Sequence, residues 1–165
     1  MKLKHSLGAW LAVGLLAVAC GEKKNVPVTE QKPPPPDEEL HWLTDYEAAK
    51  AAARSANKLL LINFTGSDWC PPCKALEKEL FAKPAFTQYA AKHLILLEVD
   101  FPRRKPISAE QRAANGKVAG AYGIEGFPTV IVLNSDSKPL GKFGYVPGLS
   151  PDKVIDALEK ARAEK

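Results

Sequence analysis

Cysteine is scarce in this chain of 165 residues, occurring only at Cys20, Cys70 and Cys73. Three thiols exclude a fold in which several disulfides stand in for a core. Histidine is no commoner, and neither His41 nor His93 stands at finger-like spacing from the cysteine pair, which argues against a structural zinc site. No apolar run reaches the roughly 20 residues that a membrane-spanning helix needs. Excess charge of one sign is missing too: 23 Lys and Arg face 19 Asp and Glu, and the basic residues are interspersed with acidic ones, leaving no nucleic-acid footprint. What is present, 45% hydrophobic and 25% charged residues, is the composition of one globular domain of ordinary size with short appendages.

The amino terminus reads as an address. Lys2 and Lys4 precede an apolar run over residues 7–19, and Ala17-Val18-Ala19-Cys20-Gly21 closes it with small residues, the three parts of a signal peptide over 1–19. Its removal leaves 21 Lys and Arg against 19 Asp and Glu, a net charge of +2. The closing residues resemble a bacterial lipobox, which makes Cys20 the lipid-attachment residue and mature terminus, although Ala17 stands where leucine is commonest. Ordinary secretory cleavage after Ala19 would cut the same bond without lipid. Residues 20–39 carry Pro27 and the run from Pro33 to Pro36. They read as a polyproline-rich tether that can hold the domain of 40–165 up to about 60 Å from its anchor.

Within that domain Thr44-x-x-Glu47 reads as a capping box that opens a helix reaching Asn57, and 59–64 as a buried strand. Helical patterns follow over 73–83 and after Pro84, then a strand over 94–101. Ser108-x-x-Gln111 opens a further helix, with a break expected at Asn115-Gly116. Strands over 129–133 and 138–145 precede a last helix starting at Ser150-Pro151, whose Val154, Ile155, Leu158 and Ala161 share one face. Residues 40–43 offer a short first strand. Alternating elements followed by a hairpin imply an α/β fold, a central sheet with helices on both faces.

Trp69-Cys70-Pro71-Pro72-Cys73 falls where strand pattern gives way to helix pattern. Proline at 71 suits the first helical position, where its fixed φ and missing amide cost nothing, and it biases Cys70 toward the extended backbone of an N-cap. A sulfur there faces the positive end of the helix dipole, which favours thiolate and lowers the Cys70 pKa below the ordinary value of about 8.5. Cys73, one turn on, is close enough to close a disulfide with Cys70 and is expected to be the more shielded of the two. Thiolates attack in disulfide exchange, so Cys70 is read as the attacking residue and Cys73 as the resolving one. Because Pro71 and Pro72 remove two amides from the vicinity of the sulfur, the depression should be moderate, nearer about 7 than the value of about 3.5 reached by strong oxidants. Trp69 reads either as core packing or as a partly exposed substrate contact. Lys74, Glu77 and Glu79 read as the solvated face of the helix, and Asp68 as needing no role of its own.

Three segments together resemble the thioredoxin superfamily over about residues 40–165. They are Phe64-Thr65-Gly66-Ser67-Asp68-Trp69-Cys70-Pro71-Pro72-Cys73-Lys74, Tyr122-Gly123-Ile124-Glu125-Gly126-Phe127-Pro128-Thr129 and Gly144-Tyr145-Val146-Pro147-Gly148. They most resemble thioredoxin-like domains of exported bacterial proteins. The resemblance implies a mixed central sheet, a cis Phe127-Pro128 bond facing the cysteine pair, and a backbone there free to pair with an extended substrate. Two departures stand out. Asn63 occupies the place where thioredoxins keep a buried aspartate as proton acceptor. An insertion of about 13 residues lies between Asp100 and Tyr122, with Arg103, Arg104 and Lys105 near its start; such a segment can bind a partner, although a solvated charged loop is the commoner outcome.

The combined reading is a thiol-disulfide oxidoreductase of the bacterial cell envelope that reduces or isomerises protein disulfides. It needs no cofactor beyond the Cys70 to Cys73 disulfide, acts as a monomer, and depends on a membrane thiol-disulfide electron donor. A binding scaffold with idle cysteines and a copper-handling protein of the same fold are the alternatives.

Overall fold

The strand Leu59–Thr65 is buried along its whole length, and the rest of the domain is arranged about it. The computed structural model describes residues 40–163; the leader over 1–19, the tether over 20–39 and Cys20 lie outside them. In chain order the elements are β1 (Trp42–Leu43), α1 (Tyr46–Ala56), β2 (Leu59–Thr65), α2 (Pro71–Leu76) running into a π-helical turn (Glu77–Phe81), and α3 (Pro84–His93). There follow β3 (Leu94–Asp100), α4 (Ala109–Ala121), β4 (Thr129–Leu133), β5 (Pro139–Phe143) and α5 (Pro151–Ala163).

The sheet order is β1-β3-β2-β4-β5, with β1, β3 and β2 parallel and β4 and β5 antiparallel to their neighbours. Side-chain alternation along the central strands separates two cores. Leu59, Leu61, Leu94, Leu96, Val130 and Val132 face α2, α3 and α5, where Leu76, Leu80, Phe86 and Leu158 meet them. Leu60, Ile62, Phe64, Leu97, Val99, Ile131 and Leu133 face α1, through Ala49 and Ala53, and the α4 side, through Val118 and Tyr122. Asn63 and Glu98 are register partners on β2 and β3, and by alternation they lie on the face covered by α2.

Three expectations are corrected. The N-cap of α1 is Asp45, not Thr44: the Asp45 side chain accepts a hydrogen bond from the Ala48 amide at 2.7 Å. The phase that buries Ala49 and Ala53 starts the helix one residue later than the Thr44 box would. Helix α4 is unbroken at Asn115-Gly116. Asn115 is buried there, and its Nδ2 donates at 2.7 Å to the carbonyl of Asp100, so the side chain satisfies the end of β3 instead of competing with its own helix. The hairpin strand is shorter than 138–145. It starts at Pro139, at the edge of the sheet, after a turn in which Asn134 Oδ1 accepts from the amides of Asp136 and Lys138.

The cap assignment predicts that Asp45→Ala lowers unfolding free energy by about 1 kcal/mol, whereas Thr44→Ala leaves it nearly unchanged. Urea denaturation of the two variants checks this, and the reverse ranking would restore the Thr44 box.

Candidate active site

The chain leaves β2 through a tight turn in which the amides of Trp69 and Cys70 both donate to the carbonyl of Gly66. Only glycine fits at 66, because a Cβ there would come within 2.5 Å of the Trp69 indole. Cys70 follows with extended φ −91° and ψ 106° as the N-cap of α2, and its Sγ accepts the Cys73 amide at 3.3 Å. Pro71 and Pro72 open the helix and are exposed, so neither contributes an amide to the sulfur. Cys70 and Cys73 are joined as a disulfide, with Cα atoms 5.3 Å apart. The expected difference in shielding is absent: Cys70 is 3% and Cys73 5% exposed. In the closed disulfide each sulfur covers the other, so position on the helix separates the two thiols and exposure does not.

Trp69 is half-buried and tied on three sides. Its Nε1 donates at 2.8 Å to the Phe101 carbonyl, its ring meets Phe127 edge-on at 6.1 Å between centroids, and the Arg103 guanidinium lies over it at 3.7 Å. Phe127 also stacks on Phe101 at 5.1 Å. The aromatic contacts bring the Phe127-Pro128 segment beside the turn that carries Cys70, and the Phe127-Pro128 bond is cis.

Asp68, for which the sequence suggested no role, proves to be a structural anchor. Its Oδ1 accepts the Arg103 amide at 3.0 Å, and its Oδ2 accepts the amides of Arg104 at 2.6 Å and Lys105 at 2.9 Å. Partial desolvation works against the charge, but the three amides overcome it and hold the carboxyl at about 2. The start of the insertion is therefore solvated only in its side chains; its backbone is fixed. Glu79 is likewise more than solvated surface, since its carboxylate accepts the Tyr145 hydroxyl at 3.1 Å. Lys74 donates to the Asp68 carbonyl at 3.1 Å. Only a partner some 35 residues away explains Asp68, so nothing local in the sequence signals it.

Beneath α2, Asn63 is buried, and its Oδ1 has no hydrogen-bond partner. Glu98, its register partner, is half-buried. Desolvation raises the Glu98 carboxyl above the ordinary range, the carboxylates of Asp100 and Glu77 add to this, and Lys105 opposes it. Asp100 itself accepts the amide and hydroxyl of Ser67 at 2.9 and 2.6 Å.

The arrangement, a disulfide at a strand-to-helix junction on a mixed sheet, defines a thioredoxin-like protein. The chain matches the thioredoxin-like family model over residues 41–135 and belongs to that family. It is 32% identical over 109 residues to the disulfide bond reductase DsbH of Chlamydia pneumoniae, a match that covers 66% of this chain and 65% of that protein. The chain thus spans just under two thirds of that relative's length. A solved structure of DsbH oxidoreductase superposes with a TM-score of 0.69 at 30% identity, covering 79% of this chain and 92% of that one. A disulphide isomerase from Xylella fastidiosa Temecula1 does so with a TM-score of 0.53 at 29% identity, covering 75% and 93%.

A carboxyl raised on folding binds its proton more tightly in the native state, so the stability it contributes is full at low pH and declines as pH rises through the native pKa. Glu98→Gln is therefore expected to raise Tm at pH 7, with the gain vanishing below about pH 4, where both states are protonated. Thermal melts across that range decide it; a lower Tm at pH 7 would show that the charge is stabilised where it lies.

Proposed function

We propose that this chain is a thiol-disulfide oxidoreductase that reduces or isomerises protein disulfides in the bacterial cell envelope. The observation that carries the reading is the Cys70 sulfur at the N-cap of α2, accepting the Cys73 amide and bonded to the Cys73 sulfur. An amide aimed at that atom favours thiolate over thiol, and a thiolate is what attacks a disulfide. The names carried by the DsbH relative and the isomerase structure support the same chemistry.

In the reducing direction the Cys70 thiolate attacks one sulfur of a substrate disulfide. An intermolecular disulfide forms, and the other substrate sulfur leaves as a thiolate that takes up a proton. Cys73 then loses its proton and attacks the Cys70 sulfur, which releases the second substrate thiol and closes the Cys70 to Cys73 bond. Two electrons and two protons pass from the protein dithiol to the substrate. Return to the reduced state requires a dithiol donor, which for an exported domain is a membrane thiol-disulfide protein. Trp69, Pro71, Pro72, Phe127 and Pro128 form the rim against which the substrate lies.

Cys73→Ser is expected to accumulate mixed disulfides with envelope proteins through Cys70, and Cys70→Ser to accumulate few, because only the resolving thiol clears the intermediate quickly. Non-reducing gels of cells expressing each variant test this. A reduction potential of the purified protein between about −270 and −180 mV fits a reductase or isomerase, and one near −120 mV marks an oxidant. No trapped partner, together with no reduction of a model disulfide, would leave the binding scaffold as the better account.

The envelope location rests on the signal-like segment over 1–19, and the anchor on Cys20 at its end. The mature monomer is expected to begin at a lipid-bearing Cys20. Mass spectrometry of native protein reads the modification directly; an unmodified Cys20 removes the anchor and leaves export standing.

A further inference from the structure

We propose that Arg103, Arg104 and Lys105 form a fixed cationic rim that selects substrate segments carrying acidic residues beside their reactive sulfur. The inference rests on the redox reading above and names the substrate class of that site.

The side chains of Arg103, Lys105 and Lys74 contact the turn that carries Trp69 and Cys70, Arg104 is held to it by its amide, and all four residues are exposed. No ion pair among the described residues engages any of them. None of the nearby carboxylates forms an ion pair with them: Asp68 accepts three backbone amides, Asp100 accepts from Ser67, and Glu98 is half-buried in the sheet, where Lys105 opposes the rise of its pKa. Among the cations, Lys105 makes a long contact of 3.4 Å to the Ser67 hydroxyl, and Lys74 holds a carbonyl.

Geometry then adds direction to charge. Arg103 lies at 3.7 Å over the ring of Trp69, the residue before Cys70. A guanidinium over an aromatic ring is fixed in place yet can keep N–H donors for a carboxylate. The Asp68 amides and the Trp69 bond to the Phe101 carbonyl hold the loop's backbone in advance, so little ordering is left to be done on binding. The partner these features fit is an extended protein segment with Glu or Asp within a few residues of its cysteine.

The test uses the full-length reduced protein and three synthetic peptides that share one intramolecular disulfide and differ only in flanking Glu, Gln or Lys residues. The second-order rate constant for the Glu peptide should exceed that for the Lys peptide by about tenfold at low ionic strength. Near 1 M salt, where the Debye length is about 3 Å, the ratio should approach one. Arg104→Glu combined with Lys105→Glu should invert the ratio. Equal, salt-independent rates on all three peptides overturn the rim and leave the oxidoreductase reading intact, whereas no turnover of any peptide overturns that reading itself. Unselective turnover combined with binding to vesicles of anionic phospholipid, lost in the double variant, would overturn the peptide assignment and give the rim to a lipid surface.

Discussion

The carboxylate of Asp68, shared among the amides of Arg103, Arg104 and Lys105, ties the active-site turn to the loop that follows β3. Its charge is what makes the junction firm. An amide side chain offers only one acceptor atom and no net charge, and hydrogen bonds to a carboxylate are roughly twice as strong as neutral ones. With this link in place the Phe101 carbonyl accepts the Trp69 indole N–H at the ring edge, Arg103 lies over the ring, and Phe127 meets it in an edge contact. The ring of the residue before Cys70 is thus positioned by two distant parts of the chain, the loop at 101–103 and Phe127.

A second set of polar contacts extends this junction across the carboxyl ends of the parallel strands. Gln111 Nε2 donates to Asn115 Oδ1, Asn115 Nδ2 donates to the Asp100 carbonyl, and the Asp100 carboxylate accepts from Ser67. Helix α4 is thereby tied to the same turn as the loop that precedes it. Residues 101–121 therefore form a support for the active-site turn and not a free excursion from the sheet. The ends of parallel strands leave backbone groups without ladder partners, and here side chains from α4 and the turn satisfy them.

What was legible in the sequence was what depends on neighbours along the chain. A proline after Cys70 fixes its own φ and restricts the residue before it, so the N-cap position of the sulfur follows from four consecutive residues. The β-branched run Thr129–Leu133 and the apolar run of β2 likewise announce themselves. Thr44 and Asp45 are both good caps one residue apart, and the choice fell to the burial of Ala49 and Ala53, a tertiary matter. Asn115-Gly116 carries every local sign of a break, yet a buried carbonyl 15 residues earlier recruits the asparagine and the helix runs through. Asp68 and the 103–105 loop were opaque for the same reason, being joined only in space.

This division separates the chemistry of the site from its selectivity. Attack by Cys70 requires a sulfur at a helix start and a second thiol one turn on, both encoded within a pentapeptide. The cationic side chains of Arg103, Arg104 and Lys105 come from more than 30 residues away, on a loop whose backbone amides Asp68 holds in place. Changes at 103–105 can therefore retune which segments approach without altering the helix start that activates the thiol. Changes at Asp68 act differently, because they remove the fixed frame on which any such charge must be displayed.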